Sequence, residues 1–111
     1  MPAPGTLRVI DAAEDFAVDV KQCFTGRGCS KRHADQVCRA AASVCANLIE
    51  GYGRGPGPDR IRLYRIARAS CEEALGWIRL SYRASELPSR DFFRLSNRGI
   101  AISKMIVHLK H

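Results

Sequence analysis

The stretch from Gln36 to Arg54, QVCRAAASVCANLIEGYGR, constrains the fold more than any other part of the chain. Val37, Ala41, Val44 and Leu48 recur at steps of three and four, the period of a helix with one buried face; Ala34 extends that stripe, and Cys38, Cys45 and Ile49 widen it. Between Ala40 and Ala46 no side chain is larger than valine, so neighbouring helices can approach closely and a change such as Ala41→Leu overpacks the contact. Ser30 is placed to cap the start of this helix, and the glycines and prolines of GYGRGPGPD, residues 51–59, end it.

The remaining chain reads as three more helices of the same kind. From about Val9, the residues Ile10, Ala13, Phe16 or Ala17, Val20 and Phe24 form an apolar stripe, opposed by Asp11, Glu14, Asp15, Asp19 and Lys21. Gly26 and Gly28 stop that helix near Thr25, and its acidic first turns suit the positive end of a helix dipole. Asp59 is the expected cap of a third helix running to about Ala84. In it, Ile61, Tyr64, Cys71, Leu75, Ile78 and Tyr82 fit a heptad seam with Arg68 as its polar member, widened by Leu63, Ala67, Ala74 and Trp77. After the turn at Leu87 and Pro88, Ser89 is the expected cap of a fourth helix. Its core stripe is Phe92, Leu95, Gly99, Ile102, Ile106 and Leu109, and it runs nearly to the chain end. Residues 1–8, with two prolines, a glycine and no period, are expected to form a flexible tail ahead of a domain spanning 9–111.

Nothing in this pattern alternates like a strand, and no apolar run approaches the roughly 20 residues of a membrane span. The expected architecture is all-α: an antiparallel up-down-up-down four-helix bundle, soluble and, with no secretory leader at its N-terminus, cytoplasmic. A chain of 111 residues is marginal as a single core, and the second apolar flanks of the middle helices suggest self-association.

Lys and Arg number 18 against 11 Asp and Glu, a net charge of +7, and 14 of the 18 are arginine, the fork-shaped donor suited to phosphate. Such a balance fits a nucleic-acid partner, although net charge also simply keeps a protein in solution. The candidate contacts are Arg54, Arg60 and Arg62 around the start of the third helix, Arg65, Arg79 and Arg83 along it, and Arg90, Arg94, Arg98 and Lys104 on the fourth. The same stripe could equally be a solvated face. The glycine loop is not a nucleotide-binding P-loop, because no strand precedes it and no Gly-Lys-Ser/Thr follows.

Catalytic chemistry has no foothold in the sequence. The five cysteines contain no Cys-x-x-Cys pair, and their odd number argues against a disulfide framework. Cys38, Cys45 and Cys71 read as small buried hydrophobes, and Cys23, Cys29 and His33 are too irregularly spaced to specify a metal. Ser43 and Ser70 lie far along the chain from any histidine, so no nucleophile and base pair up. The chain is therefore expected to be no enzyme and to need no cofactor. Asn47, Glu50 and Arg54 fall three and four apart on the second helix, and Arg68 and Glu73 on the third could meet them in a structural polar network that locks helix register.

Three segments also resemble a known family. Gln36-x-x-Arg39-Ala40-Ala41-x-Ser43, Asn47-Leu48-x-Glu50-Gly51-x-Gly53-Arg54 and Ile66-Ala67-Arg68-Ala69-Ser70-x-x-Glu73 look like the signature of bacterial 23S rRNA intervening-sequence proteins, over about residues 9–110. The chain departs from that pattern at Ala69, where glycine is usual, and around Cys45, where Val-Cys-Ala replaces Ile-Pro-Ser. The resemblance implies a ring-like homo-oligomer, a homopentamer of basic bundles without catalytic residues. It is similar to the accessory variability determinant of diversity-generating retroelements, which binds nucleic acid and a reverse transcriptase. Two functions are thus expected to compete: low-specificity binding of RNA or DNA, as an accessory factor to a reverse transcriptase or other nucleic-acid enzyme, and recruitment of a protein partner without nucleic acid.

Overall fold

The periodic apolar residues become four helices in a computed structural model that describes residues 4–26 and 28–109: α1 (Pro4–Phe24), α2 (Lys31–Gly53), α3 (Pro58–Arg83) and α4 (Ser89–Val107). No strand occurs among the described residues. α1 touches α2 and α4, and α3 touches the same two; α1 and α3 face each other diagonally across the core, as do α2 and α4. One core runs through all four helices, built on Phe16 and Val20 of α1, Val44 and Leu48 of α2, Tyr64 and Ile78 of α3, and Leu95 and Ile102 of α4. Packing is most extensive between α2 and α3, where the small residues of the Ala40–Ala46 stretch lie.

Named side-chain contacts join three of the neighbouring pairs. Between α2 and α3, Gly51 lies against Leu63 and Tyr64, Ser43 meets Ser70, His33 lies beside Trp77, and Ser30 binds Glu86 just beyond α3. Between α3 and α4, Tyr82 stacks on Phe92 at 4.1 Å, and Cys71 Sγ donates to the Gly99 carbonyl at 3.2 Å. Between α1 and α4, Phe16 approaches Gly99 and Asp19 pairs with Arg94.

Several helix boundaries differ from expectation, each for a local reason. α1 begins at Pro4 rather than at Val9, because proline is favoured in a first helical turn and the helix buries Thr6 and Val9. The acidic residues of α1 consequently fall beyond its first turn, away from the dipole end they were expected to occupy. Residues 1–3 of the expected tail lie outside the described residues, as do Lys110 and His111. Ser30 caps α2 as expected, its Oγ accepting from the His33 N–H at 3.0 Å. Asp59 does not cap α3: Gly57, at φ 139°, holds that position with Pro58 following it, and Asp59 sits within the first turn. Pro88 likewise precedes α4 in extended backbone, so Ser89 is a helical residue and not the cap.

The seam of α3 is also shifted. Tyr64, Ala67, Cys71, Ala74, Ile78 and Ser81 are buried, while Arg68 is exposed and Ile61, Leu75 and Tyr82 lie at the margin. A heptad repeat counted from Ile61 drifts off a straight 3.6-residue helix, and the stripe instead centres on Ala67 and Ala74.

Candidate nucleic-acid interface

Arginine is abundant, but its neighbours decide which guanidinium groups can meet a ligand. Arg60 cannot: its Nε donates to the Gly51 carbonyl at 3.1 Å and its Nη2 to the Tyr52 carbonyl at 2.7 Å, closing the end of α2, and its guanidinium lies over the Tyr52 ring. Arg94 is held more firmly still. It donates to Asp19 through Nη2 at 2.9 Å and Nε at 3.3 Å, and to Asp91 through Nη1 at 2.8 Å, while Arg98 approaches the other side of Asp19 at 3.5 Å. These bonds hold the Asp19 carboxyl below its ordinary pKa, the Arg94 hydrogen bond being the largest cause. α4, the most basic helix by sequence, therefore has much of its charge tied to α1.

Arg54 pairs with Glu50 one turn earlier at 3.0 Å and Arg62 reaches Asp59 only at 4.0 Å, both on exposed surface, while exposed Arg90 reaches the half-buried Asp91 at 3.9 Å. The other candidates have no ion-pair partner among the described residues: Arg65, Arg79 and Arg83 on α3, and Lys104 on α4. Arg68, expected inside the bundle, is exposed and belongs with them. Arg65, Arg83 and loosely held Arg62 share the side of α3 turned away from the buried Ala67–Ala74 stripe. Glu72, on the same helix, accepts from Ser103 Oγ at 2.9 Å, and Glu73 accepts from Trp77 Nε1 at 3.3 Å. The free acids of α1, Asp11, Glu14 and Asp15, are on the helix diagonally opposite.

The expected five-residue polar network does not form. Glu50 and Arg54 pair outside the bundle, Arg68 is exposed, and Glu73 serves Trp77. Asn47 alone takes part in a cross-helix link: its Nδ2 donates to the Ser43 carbonyl at 2.8 Å and to Ser43 Oγ at 3.0 Å, and Ser43 Oγ meets Ser70 Oγ at 2.9 Å. Neutral hydroxyls suit this narrow crossing, where charged side chains could not be solvated. Cys29 and His33 likewise turn to other tasks, Cys29 Sγ donating to the Glu86 carbonyl at 3.1 Å and His33 Nδ1 lying 3.1 Å from the Glu86 carboxylate. Burial raises the pKa of all five thiols, that of Cys71 to about 11, so none is a ready thiolate at neutral pH.

Two carboxylates with structural roles, Glu86 and Asp19, leave no local sign in the sequence. Glu86, between α3 and α4, accepts the Ser30 N–H at 2.8 Å and so completes the cap of α2 from a distant part of the chain. Asp19 was counted with the solvated side of α1, although its side chain is only 15% exposed.

A family model described as 23S rRNA-intervening sequence protein matches residues 5–108. The chain belongs to that family. No curated protein matches it. A crystal structure of a protein of unknown function from the S23 ribosomal protein family of Bacteroides thetaiotaomicron VPI-5482 is similar to this intervening-sequence protein, with a TM-score of 0.84 and 21% identity over 93% of this chain and 95% of that one. At that identity the likeness concerns the fold alone, and it supports the four-helix arrangement. No described helix is long and apolar enough to cross a membrane.

Proposed function

We propose that this intervening-sequence protein is a non-enzymatic, antiparallel up-down-up-down bundle that self-associates into a ring-like homo-oligomer, a pentamer by its family resemblance, and binds nucleic-acid backbone in the cytoplasm with low sequence specificity. One observation carries the binding reading: among the described residues, Arg65, Arg79 and Arg83 of α3 are exposed without acidic partners, while the unpaired acids of α1 lie across the bundle. A helix of 26 residues is a rod of about 39 Å, long enough to lie along about eleven base-pair steps. Arginines spaced along such a rod meet phosphates without reading bases, which is the origin of low specificity. In this reading the protein serves as an accessory factor to a reverse transcriptase or another nucleic-acid enzyme.

The test is fluorescence anisotropy with labelled single- and double-stranded RNA and DNA across a salt series. Affinity is expected to fall steeply between low and physiological salt, and the combined change of Arg65, Arg79 and Arg83 to alanine is expected to lower the salt slope by about 3. A salt-independent affinity, or an unchanged slope in the triple variant, overturns the assignment. The alternative, recruitment of a protein partner without nucleic acid, is favoured by the exposed apolar side chains Phe93, Ile100 and Val107. A complex with a defined partner that survives nuclease treatment and does not depend on the α3 arginines would select it.

A further inference from the structure

Phe93, Ile100 and Val107 are spaced seven residues apart on α4 and are 57%, 45% and 51% exposed. They form a straight apolar strip outside the core, on the flank of α4 next to α3, where Phe93 lies 6.5 Å from the Tyr82 ring and the neighbouring Ser103 reaches Glu72. Cations with no ion-pair partner among the described residues border the strip, Lys104 on α4 and Arg68 on α3. A second surface is acidic around Asp11 and Glu14, with Lys21 toward its far end. On the solvent side of α1, Leu7 and Val18 are 48% and 56% exposed, with Asp11 and Glu14 between them, and Ile49 on the neighbouring α2 is 50% exposed. Glu14 lies on the α2 side of α1, close enough to raise the pKa of Cys45. Because α1 and α3 are diagonal, and α2 and α4 likewise, the α1/α2 face and the α3/α4 face lie on opposite sides of the molecule.

We infer that these two faces bind each other between copies of this chain: the α4 strip of one protomer seats on the α1/α2 face of the next, with Lys104 and Arg68 set against Asp11 and Glu14. The occupant is a second copy because the matching apolar and acidic surface is present on the chain itself. Complementary patches on opposite sides of one subunit make a head-to-tail contact, which generates a ring when the rotation closes and a filament when it does not. This rests on the homo-oligomer reading and adds to it the faces involved and the polarity of the contact.

The test uses two blocked variants, Ile100→Asp on the α4 strip and Val18→Asp on the α1 face, with circular dichroism as the check that both keep their helices. Light scattering is expected to show an oligomer for the unaltered protein and the 12.3 kDa monomer for each variant alone. Mixed in equal amounts, the variants retain one intact copy of each face between them, so they are expected to form a dimer of twice that mass that grows no further. An interface using the same patch on both protomers could not produce this complementation. If the unaltered protein is a monomer, the homo-oligomer reading and this inference both fall. If it is an oligomer but Ile100→Asp or Val18→Asp leaves its mass unchanged, or if the mixture stays monomeric, the face assignment alone falls.

Discussion

A methyl group at position 51 has no room. A Cβ there would lie 2.8 and 2.9 Å from the Tyr64 ring and 3.2 Å from Leu63 Cβ, and Tyr64 is itself buried. At Gly76, on the outer side of α3, nothing lies within 4 Å of such a Cβ. The same substitution should therefore have opposite signs at the two sites. Gly51→Ala is expected to destabilise the fold by about 1–3 kcal/mol through overpacking, despite alanine's better helix propensity. Gly76→Ala is expected to stabilise it by roughly 0.5–1 kcal/mol. Urea denaturation of both variants measures the difference, and equal shifts of the same sign would refute the packing argument. From sequence, Gly51 was legible only as part of a helix-ending run. The run does end α2, at Gly53, but Gly51 is there for close approach to Tyr64, whereas Gly55 and Gly57, at φ 78° and 139°, are there for backbone conformation. The first requirement comes from a side chain on another helix and leaves no local trace.

At the level of the helix, the strongest electrostatic tie is Asp19 of α1 with Arg94 of α4. The folded Asp19 carboxyl is held below its ordinary value of 3.8, so its stabilising effect is complete above that value and is lost as pH falls through the folded pKa. Asp19→Asn is expected to cost about 1–2 kcal/mol at neutral pH. That range is modest because Arg94 is 38% exposed and keeps Asp91. The gap between the variant and the unaltered protein should be smaller at about pH 2 than at neutral pH, because the Asp19 carboxylate, which only the unaltered protein carries, is increasingly protonated as the pH falls. Urea midpoints at the two pH values decide this, and a gap that persists undiminished in acid would mean that Asp19 acts through packing alone. Helix number, helix type and most of the buried stripe were legible, since Val20, Val44, Cys71 and Ile102 recur at helical steps whatever they face. Pairing across the bundle was not legible. It decides that Arg94 is engaged, that Arg68 points outward and that Ser43 with Ser70, rather than a set of charges, links α2 to α3.

For the whole molecule, the two proposed surfaces make a joint prediction. The outer side of α3, with Arg65 and Arg83, is separate from the α4 strip and belongs to the helix diagonal to α1, so an assembled oligomer would present several α3 tracks at once. A nucleic acid long enough to bridge two tracks then gains effective concentration at the second, whereas one no longer than a single helix, about eleven base pairs, cannot. Ile100→Asp, which leaves every arginine in place, is accordingly expected to bind a short duplex as the unaltered protein does and to bind a duplex of several helix lengths at least about tenfold more weakly. Loss of affinity for both lengths would mean that Ile100 touches the nucleic acid directly, placing the binding track on α4. Undiminished affinity for the long duplex, from a protein shown by light scattering to have become monomeric, would mean that one bundle is the complete binding unit and that assembly serves another purpose. Length-dependent loss confined to the long duplex is the outcome that joins the two surfaces: apolar α4 strips hold the copies together, and α3 arginines act in concert because they are held.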